Sequence, residues 1–213
     1  MDNILELKKD VLNIAKASYN IGLVVGTSGN ASAYDPECML LAITPSSMDY
    51  GVMKLEDIVV IDLEGNIVHG NLMPSSEWRM HAVLYKHKRD IKAIIHTHSP
   101  YATSLGVLGK SIPLILIEMI PSIGGDIPVA EFALPGSAEL GFEALKVLDK
   151  RYGCILKNHG TLAVGRSLNE AYFRALYMED AAKIYHHALS LGTPQLISEE
   201  DEEAMRRIFN MRL

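Results

Sequence analysis

The chain has 213 residues, 48% of them hydrophobic and 22% charged, the composition of a globular protein large enough to bury one sizeable core without staples. Its 26 Asp and Glu outnumber its 20 Lys and Arg, and the resulting formal charge of −6 excludes broad binding of a nucleic-acid backbone by a basic surface. Cys38 and Cys154 belong to no CxxC pair and read as two buried thiols of a reducing compartment, not as a disulfide framework.

Apolar residues recur at helical spacing from Ile4 to Ala15, and Gly22 ends this first helix. The opening residues carry no basic stretch followed by an apolar one, so the chain is expected in the cytoplasm. Residues 24–32, rich in Gly, Ser, Thr and Asn, read as a loop before a strand over 38–44. Residues 58–63 and 67–69 flank Glu64-Gly65-Asn66 and form a hairpin. Ser75 or Ser76 caps a helix over 75–88, which leads into a strand over 93–98 and a short helix over 100–108. The apolar run 112–123 is a buried strand, since Glu118 and two prolines interrupt it and it falls short of the ~20 residues that span a bilayer. A helix over 138–149 and strands over 153–156 and 162–164 follow. A capping box, Ser167 with Glu170, opens a long helix that Gly192 stops, and Ser198 with Asp201 opens the last one. The acidic run 199–203 suits the first turn of that helix. Without repeat, linker or low-complexity tract, the pattern predicts one α/β (α+β) domain over 1–213, with a mixed, mostly antiparallel central sheet flanked by helices.

The sharpest chemical feature is His96-Thr97-His98 on a strand, because residues i and i+2 project from one face and can share an ion. His159 is the best third ligand: Asn158-His159-Gly160 follows another apolar strand, and the glycine lets backbone come close. Three imidazoles leave a divalent ion one open position for a carbonyl or a water, and suit Zn2+, Mn2+, Co2+ or Fe2+. His69, His81, His87 and the adjacent His186-His187 read as surface or core residues. Gly26-Thr27-Ser28-Gly29-Asn30, Thr44-Pro45-Ser46-Ser47 and Ser75-Ser76 offer hydroxyls, an amide and backbone N–H groups, which suit a small phosphorylated ligand. Glu77, directly after the two serines, is either a carboxylate favouring a helix N-terminus or a general base beside a polarised carbonyl.

These blocks, in register with Pro74-Ser75-Ser76-Glu77-Trp78-Arg79 and Gly124-Gly125 from the first helix to the long C-terminal one, resemble the class II aldolase/adducin head family. The resemblance implies a class II aldolase fold and a homotetramer about a fourfold axis, with active sites at subunit boundaries; the charge and the short apolar run already argue against a nucleic-acid or membrane partner. It implies one divalent metal per subunit, Zn2+ first and Mn2+ or Co2+ as alternatives, held by His96, His98 and His159 with Glu77. Gly29, Asn30, Ser46, Ser47, Ser75 and Ser76 would hold the substrate phosphate; Ser47 replaces a family glycine, so its backbone N–H is the expected contact. Glu77 would be the base in reversible cleavage of a ketose 1-phosphate, L-fuculose 1-phosphate or 5-deoxyribulose 1-phosphate. The products would be dihydroxyacetone phosphate and lactaldehyde or acetaldehyde. Glu118 stands where relatives place a tyrosine reaching from the neighbouring subunit, and is a candidate catalytic acid. The tail beyond the last helix is shorter than in those relatives. Three other branches differ at informative places: 4-epimerases of L-ribulose 5-phosphate carry Asp where Glu77 stands, methylthioribulose-1-phosphate dehydratases lack the Ser-Ser-Glu motif, and adducin heads, which are scaffolds, have lost the metal ligands.

Overall fold

Strands such as Leu40–Ile43 and Gly153–Leu156 are apolar at odd and even positions alike, so the sheet they build must be covered on both faces. The computed structural model describes residues 2–210; the short tail, residues 211–213, lies outside the described residues. Its sheet has eight strands: β1 (Asn30–Asp35), β2 (Leu40–Ile43), β3 (Val59–Asp62), β4 (Ile67–His69), β5 (Ala93–Thr97), β6 (Val129–Ala130), β7 (Gly153–Leu156) and β8 (Gly160–Gly165). Their order is β4-β3-β2-β1-β5-β8-β7-β6, and every pairing is antiparallel except β6 with β7. Helices α1 (Asp2–Asn20), α3 (Pro100–Val107), α4 (Met119–Ile123) and α6 (Leu168–Leu191) cover one face. Helices α2 (Trp78–His87) and α5 (Ala138–Val147) cover the other, and α7 (Glu199–Asn210) packs on α4. Along β5, Ile95 enters the first core and Ile94 the second, so neither side of this strand meets water. No helix among the described residues is long and apolar enough to cross a membrane.

The structure departs from the sequence expectation at four places. Residues 30–35, expected partly as loop, form β1: Asn-Ala-Ser-Ala has little strand propensity, but Ala31 and Ala33 are buried against α1, which contacts this strand. The run 112–123 is not a strand. Ile112 makes a single bridge to Ile127, Pro113 has no N–H to continue a ladder, and the chain turns into α4 with Glu118 as its N-cap residue. Helix α2 begins at Trp78 with Glu77 at the N-cap position, while the Ser75 hydroxyl accepts from the Glu77 N–H at 3.3 Å. Cys154 is a buried thiol, pushed up to about 12 by burial, whereas Cys38 lies exposed in the turn before β2.

Candidate active site and metal centre

Strand β5 occupies the centre of the site. Its His96 lies in register with Asn30 of β1 on one side and Leu162 of β8 on the other. The His96 Nδ1–H donates to the Thr161 carbonyl at 2.8 Å, which turns Nε2 toward His98 and Glu77. His98, just past the strand on the same side, brings its Nε2 to 3.1 Å from that atom. His159 arrives from the turn joining β7 to β8, where Asn158 takes a left-handed φ of 56°. Gly160 then passes so close to β5 that a Cβ there would stand 2.3 Å from the Thr97 carbonyl. Ligand atoms of His96, His98 and His159 all lie within 4.8 Å of one another.

Glu77 completes the cluster from the start of α2. Its Oε2 is 3.1 Å from His96 Nε2 and accepts from the Asn30 amide at 3.0 Å, and its Oε1 is 3.4 Å from His159 Nε2. Burial alone would raise the carboxyl pKa, but the facing His96 and His159 and the Asn30 amide outweigh it and bring it down to about 2. Burial, helped by neighbouring imidazoles, lowers His98 to about 4, and burial lowers His159 as well. Glu77 is therefore ionised at neutral pH, and His98 and His159 are both pushed toward the neutral form in which imidazoles bind a metal. Glu77 Oε1 and His159 Nδ1 are buried without a hydrogen-bond partner, and a divalent cation among the three imidazoles and the carboxylate fits this donor set.

A cavity of about 210 Å³ opens over the cluster. The six residues expected at the phosphate, Gly29, Asn30, Ser46, Ser47, Ser75 and Ser76, all line it, together with Glu77, His98 and His159. Two loops are tied to make that wall: the Ser75 N–H donates to the Thr44 carbonyl at 2.9 Å, and the Ser46 N–H to the Met73 carbonyl at 3.0 Å. The buried Tyr50 hydroxyl braces a third, donating to the Gly29 carbonyl at 2.8 Å. Ser47 holds a φ of +55°, the left-handed region that favours glycine. Ser47→Gly is expected to raise stability by about 1 kcal/mol in a denaturant titration and to leave KM for a phosphorylated substrate unchanged. A raised KM would assign the hydroxyl a direct contact. A larger cavity, about 610 Å³, lies elsewhere against α6, but its Arg174 is already spent on the Ser122 and Val164 carbonyls and on Glu170.

Residues 9–186 match the model of the Class II Aldolase and Adducin N-terminal domain. The chain belongs to this family. It is 33% identical over 95% of its length to the 5-deoxy-D-ribulose 1-phosphate aldolase of Bacillus thuringiensis, covering 94% of that protein. It is 34% identical over 96% of its length to the 5-methylthioribulose-1-phosphate/5-deoxyribulose-1-phosphate aldolase of Rhodospirillum rubrum, covering 91% of it. Among solved structures, an L-fuculose 1-phosphate aldolase superposes with a TM-score of 0.91 at 40% identity, each chain covered to 96%.

In this class II aldolase family member, one expected site residue stands apart. Glu118 does not line the cavity of its own protomer; it sits at the N-terminus of α4. Two side chains that the sequence reading did not assign to the site belong to its support, Tyr50 and His81. His81 is fully buried, and its Nε2 lies 2.6 Å from the Asn30 amide oxygen. Burial lowers its pKa to about 3, so the ring is neutral.

Proposed function

We propose that this chain is a metal-dependent aldolase that reversibly cleaves a ketose 1-phosphate to dihydroxyacetone phosphate and a small aldehyde. The observation that carries the reading is the ionised, buried Glu77 set among three histidines at the floor of a cavity walled by serines, an asparagine and a glycine. The names of the relatives point to 5-deoxyribulose 1-phosphate and L-fuculose 1-phosphate, and one of them also to 5-methylthioribulose 1-phosphate; we rank the first two higher, with acetaldehyde and lactaldehyde as their respective products.

His96, His98 and His159 would hold the cation, with Glu77 adjoining, and Zn2+ is the ion we assign to a three-imidazole set. Once bound, a divalent ion supplies Lewis acidity, drawing electron density from a substrate carbonyl. The chain's own residues do the rest. Gly29, Asn30, Ser46, Ser47, Ser75 and Ser76 receive the phosphate by backbone N–H groups and short polar side chains, without a cationic residue among them. Glu77 Oε1 takes the proton from the hydroxymethyl carbon of dihydroxyacetone phosphate in condensation and returns it after cleavage. Burial around Glu77 excludes competing water from that transfer. The aldehyde oxygen gains its proton from outside the protomer's cavity; Glu118 of a neighbouring subunit in a fourfold homotetramer is the donor we assign.

The test is a coupled assay of dihydroxyacetone phosphate release by Zn2+-loaded protein, with 5-deoxyribulose 1-phosphate, L-fuculose 1-phosphate and L-ribulose 5-phosphate side by side. Release from a 1-phosphate is expected, abolished by chelation and restored by adding the metal back. Xylulose 5-phosphate from the third substrate, with no release from the first two, would make the chain an epimerase.

A further inference from the structure

Behind the cavity, two ladders of side chains mesh. Along α2, Glu77, His81 and Tyr85 recur every four residues, a rise of about 6 Å per rung. Along β1, Asn30, Ser32 and Tyr34 recur every two residues, a rise of about 6.8 Å per rung. The steps nearly match, so a helix laid along the strand sets each rung of one ladder between two of the other. The contacts alternate accordingly: Glu77 Oε2 to Asn30 Nδ2 at 3.0 Å, Asn30 Oδ1 to His81 Nε2 at 2.6 Å, His81 Nδ1 to Ser32 Oγ at 2.7 Å, and Ser32 Oγ to the Tyr85 hydroxyl at 2.7 Å. Tyr34 closes the far end by stacking on Tyr85 at 4.9 Å between ring centroids. Asn30, Ser32, His81 and Tyr85 are all buried.

The direction of each hydrogen bond follows from Glu77. The Asn30 NH2 donates to Glu77 Oε2 at 3.0 Å, and its oxygen therefore faces His81. That oxygen only accepts, so His81 carries its proton on Nε2. Nδ1 is then an acceptor for the Ser32 hydroxyl, and the Tyr85 hydroxyl donates to Ser32, standing 2.7 Å from its Oγ and 3.2 Å from its carbonyl oxygen. Turning Asn30 or His81 leaves a buried partner unpaired, which locks those two. An amide passes no proton along, so what this chain transmits to Glu77 is orientation.

We propose that His81 is a positioning residue for the reaction assigned above: through Asn30 it pins Oε2 of Glu77 and so presents Oε1, the atom without a hydrogen-bond partner, to the substrate. The kinetic part of the proposal rests on that functional reading; the orientation of Asn30 does not. Three measurements on the full chain separate the two. In ¹⁵N NMR of labelled histidine, His81 should be neutral with its proton on Nε2; a proton on Nδ1 overturns the proposal whatever the activity. His81→Phe keeps the ring volume but removes both nitrogens, and His81→Gln restores a donor where Nε2 stood. With Zn2+ content unchanged, His81→Phe should lose about 10–100-fold in kcat with little change in KM, and His81→Gln should recover most of it. Equal kcat in His81→Phe and wild type overturns the role, as does a loss shared equally by the two variants. The side-chain amide protons of Asn30 should exchange slowly in wild type and His81→Gln and rapidly in His81→Phe. That pattern in a protein that releases no dihydroxyacetone phosphate would uphold the positioning of Asn30 and reject the reaction. Should His81→Phe fail to fold, the wild-type tautomer and His81→Gln still decide the matter.

Discussion

Glu77→Gln is expected to slow proton exchange into dihydroxyacetone phosphate by about 10²–10⁴-fold while the protein keeps its metal. Glutamine matches the volume of glutamate, and its amide oxygen can still accept from Asn30, so the wall of the cavity is preserved. What disappears is the base. Three imidazoles remain to hold an ion, which separates this variant from His98→Ala, where metal and activity should go together. Exchange followed by deuterium incorporation, with metal content measured on the same sample, reads both quantities. Exchange at the wild-type rate would mean that another group removes the proton, and Glu77 would revert to a helix-terminus carboxylate.

Gly160→Ala is expected to cost about 1–3 kcal/mol of stability and about 10–100-fold in metal affinity. The added Cβ would lie 2.3 Å from the Thr97 carbonyl oxygen, a backbone atom that cannot swing aside. It would also stand 3.1 Å from Cε1 of His96 and 3.2 Å from Cδ2 of His98. Strand β8 must therefore move off β5, and the Thr161 carbonyl that fixes the His96 ring moves with it. Denaturant midpoints and a calorimetric Zn2+ titration measure the two effects. Loss of stability without loss of affinity would show that the strands part without disturbing the imidazoles.

The metal cluster was legible because its logic is local: His-x-His on a strand must share a face, and a glycine after His159 announces a close backbone approach. The cavity wall was legible as three short polar blocks, and all six residues named from them line one cavity. β1 was not, since alanine and serine carry no strand signal and are selected here by the helix that covers them. Residues 112–117 misled for the opposite reason: their apolar character reports burial, while Pro113 denies them a ladder. His81 read only as a surface or core residue because a single helical histidine shows nothing of the strand opposite. Its four-residue spacing with Glu77 and Tyr85, set against the two-residue spacing of Asn30, Ser32 and Tyr34, becomes meaningful only once α2 is known to lie along β1.

Strand β5 is flanked by β1, which precedes it by some sixty residues, and by β8, which follows it by a similar distance. Such a site exists only after two long segments have closed onto the middle strand, so it forms late in folding and opens early in unfolding. An ion present at 100 times its dissociation constant would add about 2.7 kcal/mol to the native state alone, spread over three strands that open together. Amide hydrogens of β1, β5 and β8 should accordingly exchange as one cooperative unit that slows on Zn2+ addition. Metal supply would then set the lifetime of the folded chain against proteolysis as well as its turnover.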